Sequence, residues 1–292
     1  MTVSSIVEAI HIACQKGTKI TVANYNIHSF NLSLLLPWFY DFLHESEITH
    51  CDSVGILNAI RWMGLDLPLE YRASYTLLMP KLLEMCDHHQ LSVFLLGTTS
   101  DNIQSALKNL HQQYPNLTVA GHHGYFDLDD PQQNEAIIQQ INQLQPQILI
   151  VGMGMPQQEG WIRQHRDRLQ VNAILLGGAV IDRLAGVVPS CPLLIANSGL
   201  EWLFRLFREP KRLAPRYLIG NPAFFLVLAL GKFYAPALSF ERMSSPPSVD
   251  DADLLQESEK LNQEDKPLPN HRSLTPAWMD KSTEVRSTGA KF

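Results

Sequence analysis

The sequence predicts a doubly wound α/β fold on a mainly parallel, Rossmann-like sheet, with a helical appendage and a disordered acidic tail behind it. Three observations carry this expectation. Short β-rich runs recur through roughly the first 195 residues. Each run ends in Gly, Asn, Ser or Asp, and each is followed by a stretch with helical spacing. That alternation is expected of a parallel sheet covered on both faces.

The N-terminal segment MTVSSIVEAIHIACQKG has no basic leader and carries Glu8 and His11 inside its apolar face. It reads as an amphipathic helix rather than a signal peptide. The runs KITVANY (19–25) and the weaker ITHCDS (48–53) read as the first two strands, the second followed by a helix in VGILNAIRWMG. The segment 76–89, TLLMPKLLEMCDHH, has helical spacing and leads into the strand LSVFLLGT (91–98). The helix SALKNLHQQY (105–114) then precedes the strand LTVAGHH (117–123), and the helix NEAIIQQINQL (134–144) precedes the strand QILIVGMG (147–154). A helix over 156–169 follows, with Pro156 at the favoured first position, and then a last strand in VNAILLGGAV (171–180). These elements define a core domain over 1–198.

From 199 the pattern changes to GLEWLFRLFREPKRLAPRYLIGNPAFFLVLALGK, which reads as a helical appendage over 199–240. Six basic residues stand against two acidic ones between 199 and 232, in a chain whose net charge is −6. Arg205, Arg208, Arg212 and Arg216 recur at spacings of three and four, which places them on one helix face, with breaks expected at Pro210 and Pro215. The apolar run 223–231 falls short of the roughly 20 residues a membrane span needs, so the appendage is expected to lie on a membrane without crossing it. Residues 241–292 are polar and rich in Pro and Ser, the composition of a disordered tail.

The overall acidity excludes a general nucleic-acid binder, because phosphate neutralisation needs a basic surface. The four cysteines, Cys14, Cys51, Cys86 and Cys191, are widely spaced and suggest neither a disulfide framework nor a zinc ribbon, which fits a reducing cytoplasm. Ligands of doubly wound sheets sit beyond the carboxyl ends of the strands. The residues there are Asn24, Asn26, Asp52, Gly97, His122, Gly124, Gly154, Gln158, Gly178 and Asp182.

Asp52 stands between a strand and a helix, where it is either an N-cap or a general base able to take a proton from a sugar hydroxyl. The stretch GMGMPQQEGW offers bare backbone N–H groups at a helix start, but Gln157 occupies the place of the third glycine of a dinucleotide fingerprint, and no Walker A pattern exists. Asp127 and Asp129 form a D-x-D pair read as a solvated turn rather than a metal site, and His122 and His123 lack a partnered ligand cluster.

In order and spacing, NYNIHSFN, CDSVGI, LLGTT, HHGYFD, GMGMPQQEGW, GGAVIDRLAG and GLEWLFRLFREPKR resemble the WecG/TagA/CpsF glycosyltransferases, glycosyltransferase family 26, over about residues 18–232. The resemblance implies an inverting enzyme that needs neither metal nor cofactor. It would move an N-acetylhexosamine-type sugar, N-acetylmannosamine in the best-known members, from UDP to a polyprenyl-diphosphate-linked sugar. It further implies peripheral attachment at the inner face of the plasma membrane and a role in cell-surface polysaccharide synthesis, and leaves a homo-oligomer possible.

By this resemblance Asp52 is the catalytic base, Asn24 lies in an active-site strand loop, Arg72 lies near the acceptor and Gln158 is the glutamine of the opening motif. Arg205, Arg212 and Arg216 belong to an appendage that closes over the site. Three positions depart from the family pattern: Ser53 where most members have Gly, Ser190-Cys191-Pro192 where many have Arg-Ala-Pro, and Pro215 within the appendage. The alternative is a catalytically impaired member that binds a sugar nucleotide and serves as an assembly partner. An NAD-dependent oxidoreductase would need the glycine fingerprint the chain lacks.

Overall fold

The computed structural model describes residues 1–189, 191, 192, 194, 195, 198 and 200–234, with the side chains of 212, 233 and 234 excepted. The expected tail and Ser190 lie outside the described residues. Six strands form one parallel sheet in the order β2-β1-β6-β5-β3-β4: β1 (Ile20–Tyr25), β2 (Ile48–Cys51), β3 (Ser92–Gly97), β4 (Thr118–His122), β5 (Ile148–Gly152) and β6 (Ala173–Leu176). The chain winds outward from β1 to β2 on one side and from β3 to β4 on the other, and β5 and β6 fill the interval. Connections therefore leave β3 and β5 in opposite directions, which makes their carboxyl ends the topological switch point.

The unbroken apolar runs are explained by burial on both faces. Val93, Leu95, Ile148, Ile150 and Leu175 pack into one core layer, while the alternate residues Phe94, Leu96, Leu149, Val151 and Leu176 pack into the other. The first layer is covered by α1 (Val3–Lys16), α5 (Tyr75–His88) and α6 (Ser100–Gln113), the second by α3 (Pro37–Glu45), α7 (Pro131–Leu144) and α8 (Gln157–His165). In α1 the buried residues are Val3, Ile6, Ile10 and Ala13, the spacing of one helix face, and Thr2 closes the N-terminus with a capping box.

Every expected strand is present, and the differences lie at the ends. The last strand stops at Leu176, because the chain turns at Gly178, with φ +54°, into α9 (Val180–Leu184). Pro156 is the residue before α8 rather than its first turn. α6 and α7 start earlier than their apolar spacing suggests, because Thr99 and Asp130 cap them. The link between β1 and β2 folds as α2 (Ile27–Leu35) and α3, neither of which the strand pattern reveals.

Beyond the sheet follow α10 (Glu201–Arg208), α11 (Pro210–Leu218) and α12 (Gly220–Tyr234), α11 continuing through Pro215. Residues 1–228 make one compact unit, and the remaining described residues, 229–234, belong to a second. α12 is tied to the core by Phe224, which packs edge-on against Phe30 at 4.8 Å, and by a hydrogen bond of 2.9 Å from Asn31 Nδ2 to the Gly220 carbonyl. The sequence reading counts only the run 223–231, whereas Leu213–Lys232 is long and apolar enough by length and composition to cross a membrane. Leu213, Tyr217 and Phe224 within it are nevertheless buried in the fold.

Candidate active site

A cavity of about 530 Å³ opens at the carboxyl ends of β1 and β2, walled by the starts of α2 and α4 (Val54–Trp62) and roofed by α10, α11 and the first turns of α12. Asp52, Arg72, Glu201, Arg205 and Arg216 supply its charge, with Asn26, His28, Asn58 and Trp202 beside them. Its size suits a small-molecule ligand.

Asp52 is aimed into this cavity because its neighbour takes the helix. The Asp52 N–H donates to the Tyr25 carbonyl at 2.9 Å, and Ser53 Oγ accepts from the Ile56 N–H at 3.2 Å as the N-cap of α4. The cap role that the sequence leaves open for Asp52 therefore falls to Ser53. The Asp52 Oδ2 accepts from Asn24 Nδ2 at 3.3 Å. Burial raises the Asp52 carboxyl above its ordinary value, opposed by the Asn24 hydrogen bond and the charges of Arg183 and Arg205. Asn24 is itself buried, and its Oδ1 finds no partner among the described residues.

The appendage is docked through Glu201. Its Oε2 lies 4.0 Å from Arg72 Nη1 and its Oε1 lies 3.6 Å from Arg183 Nη2, while Arg183 Nη1 donates to Thr76 Oγ1 at 3.1 Å. Arg72 is held at the rim by the Ala73 N–H, which bonds the Cys51 carbonyl at the end of β2 at 2.8 Å. Glu201 and Arg183 are absent from the sequence expectations. The only signals for them are the acid of GLEW and the Asp-Arg pair of GGAVIDRLAG.

The arginine series does not occupy one continuous helix, since the chain breaks at Glu209 between α10 and α11. Arg205 and Arg216 nonetheless converge on the cavity, Arg216 donating to Asn26 Oδ1 at 3.4 Å. Arg208 instead is exposed, over the Phe204 ring. Arg212 lies on α11, and its side chain is outside the described residues. His28 is pushed down to about 4 by burial and by Arg216, so its ring is neutral at pH 7. Asn26 also caps α2, accepting from the His28 and Ser29 N–H groups at 2.9 and 3.2 Å.

Gly97, Gly154, Gln158, Gly178 and Asp182 are not in this wall; they stand at the ends of β3, β5 and β6. Here the backbones approach closely: a Cβ on Gly152 would lie 2.7 Å from the Gly178 carbonyl, and one on Gly97 would collide with Gly152. Gly154 and Gly178 have positive φ and open space where a side chain would go.

Gln158 is fully buried. Its Oε1 accepts from the N–H groups of Gly154 and Gly178 at 3.2 and 3.1 Å, and its Nε2 donates to Glu159 Oε1 at 2.9 Å. Glu159, not among the expected site residues, is buried too, and burial raises its carboxyl to about 7. Asp182 accepts from Thr98 Oγ1 and from Asn102 Nδ2, the latter at 2.9 Å. Tyr75 joins the two regions, since the charges of both Asp52 and Glu159 act on its buried hydroxyl. Asp127 and Asp129 sit in the turn before α7, where Asp127 Oδ1 accepts from the Asp129 N–H at 3.0 Å.

Chemically, the cavity offers the Asp52 carboxyl beside the guanidinium groups of Arg72, Arg205 and Arg216, with Glu201 as its other acid, and this net positive lining suits an anionic ligand such as a diphosphate ester. A family model described as "Glycosyl transferase WecG/TagA/CpsF family" matches residues 1–236. The chain is similar to N-acetylglucosaminyldiphosphoundecaprenol N-acetyl-beta-D-mannosaminyltransferases of Staphylococcus aureus strains MW2 and NCTC 8325. It is 28% identical to each over 220 residues, which cover 75% of this chain and 84% of the relative.

Proposed function

Because the chain belongs to the WecG/TagA/CpsF family of glycosyl transferases, we propose that it moves an N-acetylmannosamine-like sugar from UDP to a sugar carried on a polyprenyl diphosphate. The observation that carries this reading is Asp52, relieved of capping by Ser53 and facing a cavity ringed by arginines. Asp52 takes the proton of the acceptor hydroxyl as that oxygen attacks the anomeric carbon. The bond to the UDP oxygen breaks on the opposite side, so one displacement inverts the configuration. The leaving diphosphate needs charge stabilisation rather than a proton, and Arg72, Arg205 and Arg216 supply it without a metal or cofactor. Arg212 completes that set. The Gly154 and Gly178 turns admit the donor closely, with Gln158 holding the turns and Gly97 and Asp182 framing them.

We assign 1–198 as the catalytic core, 199–240 as the appendage that binds the acceptor and the membrane surface, and 241–292 as a tail. The appendage's basic residues and the exposed Phe207, Leu218 and Ile219 fit peripheral attachment to the inner face of the plasma membrane. The impaired-member alternative draws no support from position 53, where the substitution leaves Asp52 free.

The test is a donor screen with purified protein and a short-chain lipid-diphosphate acceptor, with product resolved by chromatography. Transfer from UDP-N-acetylmannosamine, unchanged by EDTA, is expected. Absence of transfer from every UDP-N-acetylhexosamine sinks the reading, and loss on chelation restored by manganese reopens the D-x-D pair as a metal site.

A further inference from the structure

Residues 61–70, RWMGLDLPLE, are all exposed except the partly buried Leu67, yet half of them are large and apolar. Trp62 is 41% exposed, Met63 50%, Leu65 62% and Leu69 41%. The segment is not loosely held. The Gly64 N–H bonds the Arg61 carbonyl at 3.0 Å and the Leu65 N–H bonds the Ile60 carbonyl at 3.2 Å, with Gly64 at φ +103°. These are the two bonds of a Schellman ending, in which the residue after the glycine commonly folds its apolar side chain back onto the helix. Here Leu65 points outward instead, while Ile60 joins the packed cluster of Ile56, Ala59 and Phe224. Arg61 fixes the remainder of the turn by donating from Nε to the Leu67 carbonyl at 2.7 Å.

Position gives this display a meaning. The first turns of α4 line the cavity, Arg72 lines it immediately after the segment, and Phe224 and Leu228 of α12 pack in the same cluster as Ile56 and Ile60. Phe225, Leu226 and Val227 of α12 are exposed, Phe225 at the wall of the cavity. Two apolar surfaces from distant parts of the chain thus adjoin through one packed cluster beside one cavity. We infer that the 62–69 turn is a second membrane-inserting element, contributed by the core rather than by the appendage, and that its partner is the lipid surface. The inference rests on the proposed lipid-linked acceptor, whose prenyl chain has to pass from the cavity mouth into a bilayer.

A tryptophan with Met and Leu at a turn suits the bilayer interface, where an amphipathic ring and short apolar chains enter to headgroup depth. Charge does not drive it. The turn carries Asp66 and Glu70 against Arg61, whose guanidinium is committed to Leu67 and Asn58. Binding through this element is therefore insensitive to salt, whereas binding through the basic appendage weakens as salt screens it.

The full chain is tested with phosphatidylcholine and phosphatidylglycerol vesicles, with and without brominated acyl chains, by tryptophan fluorescence and co-sedimentation. Brominated lipid is expected to quench the native protein, and Trp62→Phe is expected to remove the largest share of that quenching while vesicle binding persists. A Met63→Ser/Leu65→Ser/Leu69→Ser variant is expected to bind vesicles about tenfold more weakly at high salt. It should keep its turnover on a short-chain soluble acceptor. Failure of the native chain to bind vesicles overturns the membrane reading itself. Native binding with quenching unaltered in Trp62→Phe overturns only the inference about the turn. A change in the particle mass measured by light scattering, with vesicle affinity unchanged, assigns the turn to a second copy of the chain and overturns it equally.

Discussion

At the ends of β1 and β2 the polar side chains turn toward a cavity, whereas at the ends of β3, β5 and β6 they turn on one another. Asp52, Arg72 and Arg205 line open space. Gln158, by contrast, spends its amide on Gly154, Gly178 and Glu159, and Asp182 is held by Thr98 and Asn102. Asp52, just after β2, occupies a position equivalent to theirs after a parallel strand, while Arg72 and Arg205 reach the cavity from the connection to α5 and from α10. The contrast teaches that a strand-end position nominates a residue, and that the destination of its hydrogen bonds decides whether it acts on a ligand or shapes the backbone that does.

The sharpest way to break this contrast is Asp52→Asn. Turnover is expected to fall by about two to four orders of magnitude, the usual worth of a general base, with UDP affinity and melting temperature near those of the native protein. Unchanged turnover at saturating donor would reduce Asp52 to a structural residue. In the native enzyme the same carboxyl is expected to set the acid limb of the rate profile. Since burial raises it, kcat/KM should begin to fall at a pH above the ordinary carboxylate range, and Asn at 52 should abolish that limb.

Gln158→Ala probes the other side. It strands two backbone N–H groups and one oxygen of Glu159, so unfolding free energy measured in urea should drop by about 2–4 kcal/mol. A stable variant with only a raised donor KM would instead make Gln158 a direct ligand.

Glu159→Gln sharpens the same point through pH. A carboxyl raised to about 7 in the fold and near its ordinary value when unfolded binds more protons folded than unfolded between those values. Its stabilising contribution is present at low pH and lost as pH rises toward 7. Stability of the native chain should therefore decline across pH 4.5 to 7 relative to the Gln variant, compared by denaturation at several pH values. Parallel curves would remove the buried charge from the account.

The smallest effect is expected at Ser53→Ala, which removes the α4 cap and should cost about 1 kcal/mol of stability while kcat stays within about twofold. A large loss of kcat without loss of stability would mean that Ser53, too, faces the substrate.

Much of the fold is legible before any coordinates. The six strands, their approximate limits and the amphipathic N-terminal helix follow from apolar runs and turn residues, because burial on both faces writes itself into consecutive residues. α2 and α3 escape because no strand pattern marks them. Glu201 and Arg183 escape because each acquires its role from a partner far away in the chain: Glu201 meets Arg72, and Arg183 meets Thr76.

By itself, the sequence determined the parallel α/β architecture, the glycine turns at its carboxyl edge, the acid after β2 and the basic helical appendage, all of which depend on residues near one another in the chain. Only the tertiary structure decided that Ser53 rather than Asp52 caps α4, that Arg205 and Arg216 line one cavity from either side of a helix break, and that Gln158 is a buried brace. The physical reason is that a polar group is spent on whichever partner the fold brings within about 3 Å, and for these groups chain direction and distant contacts choose the partner.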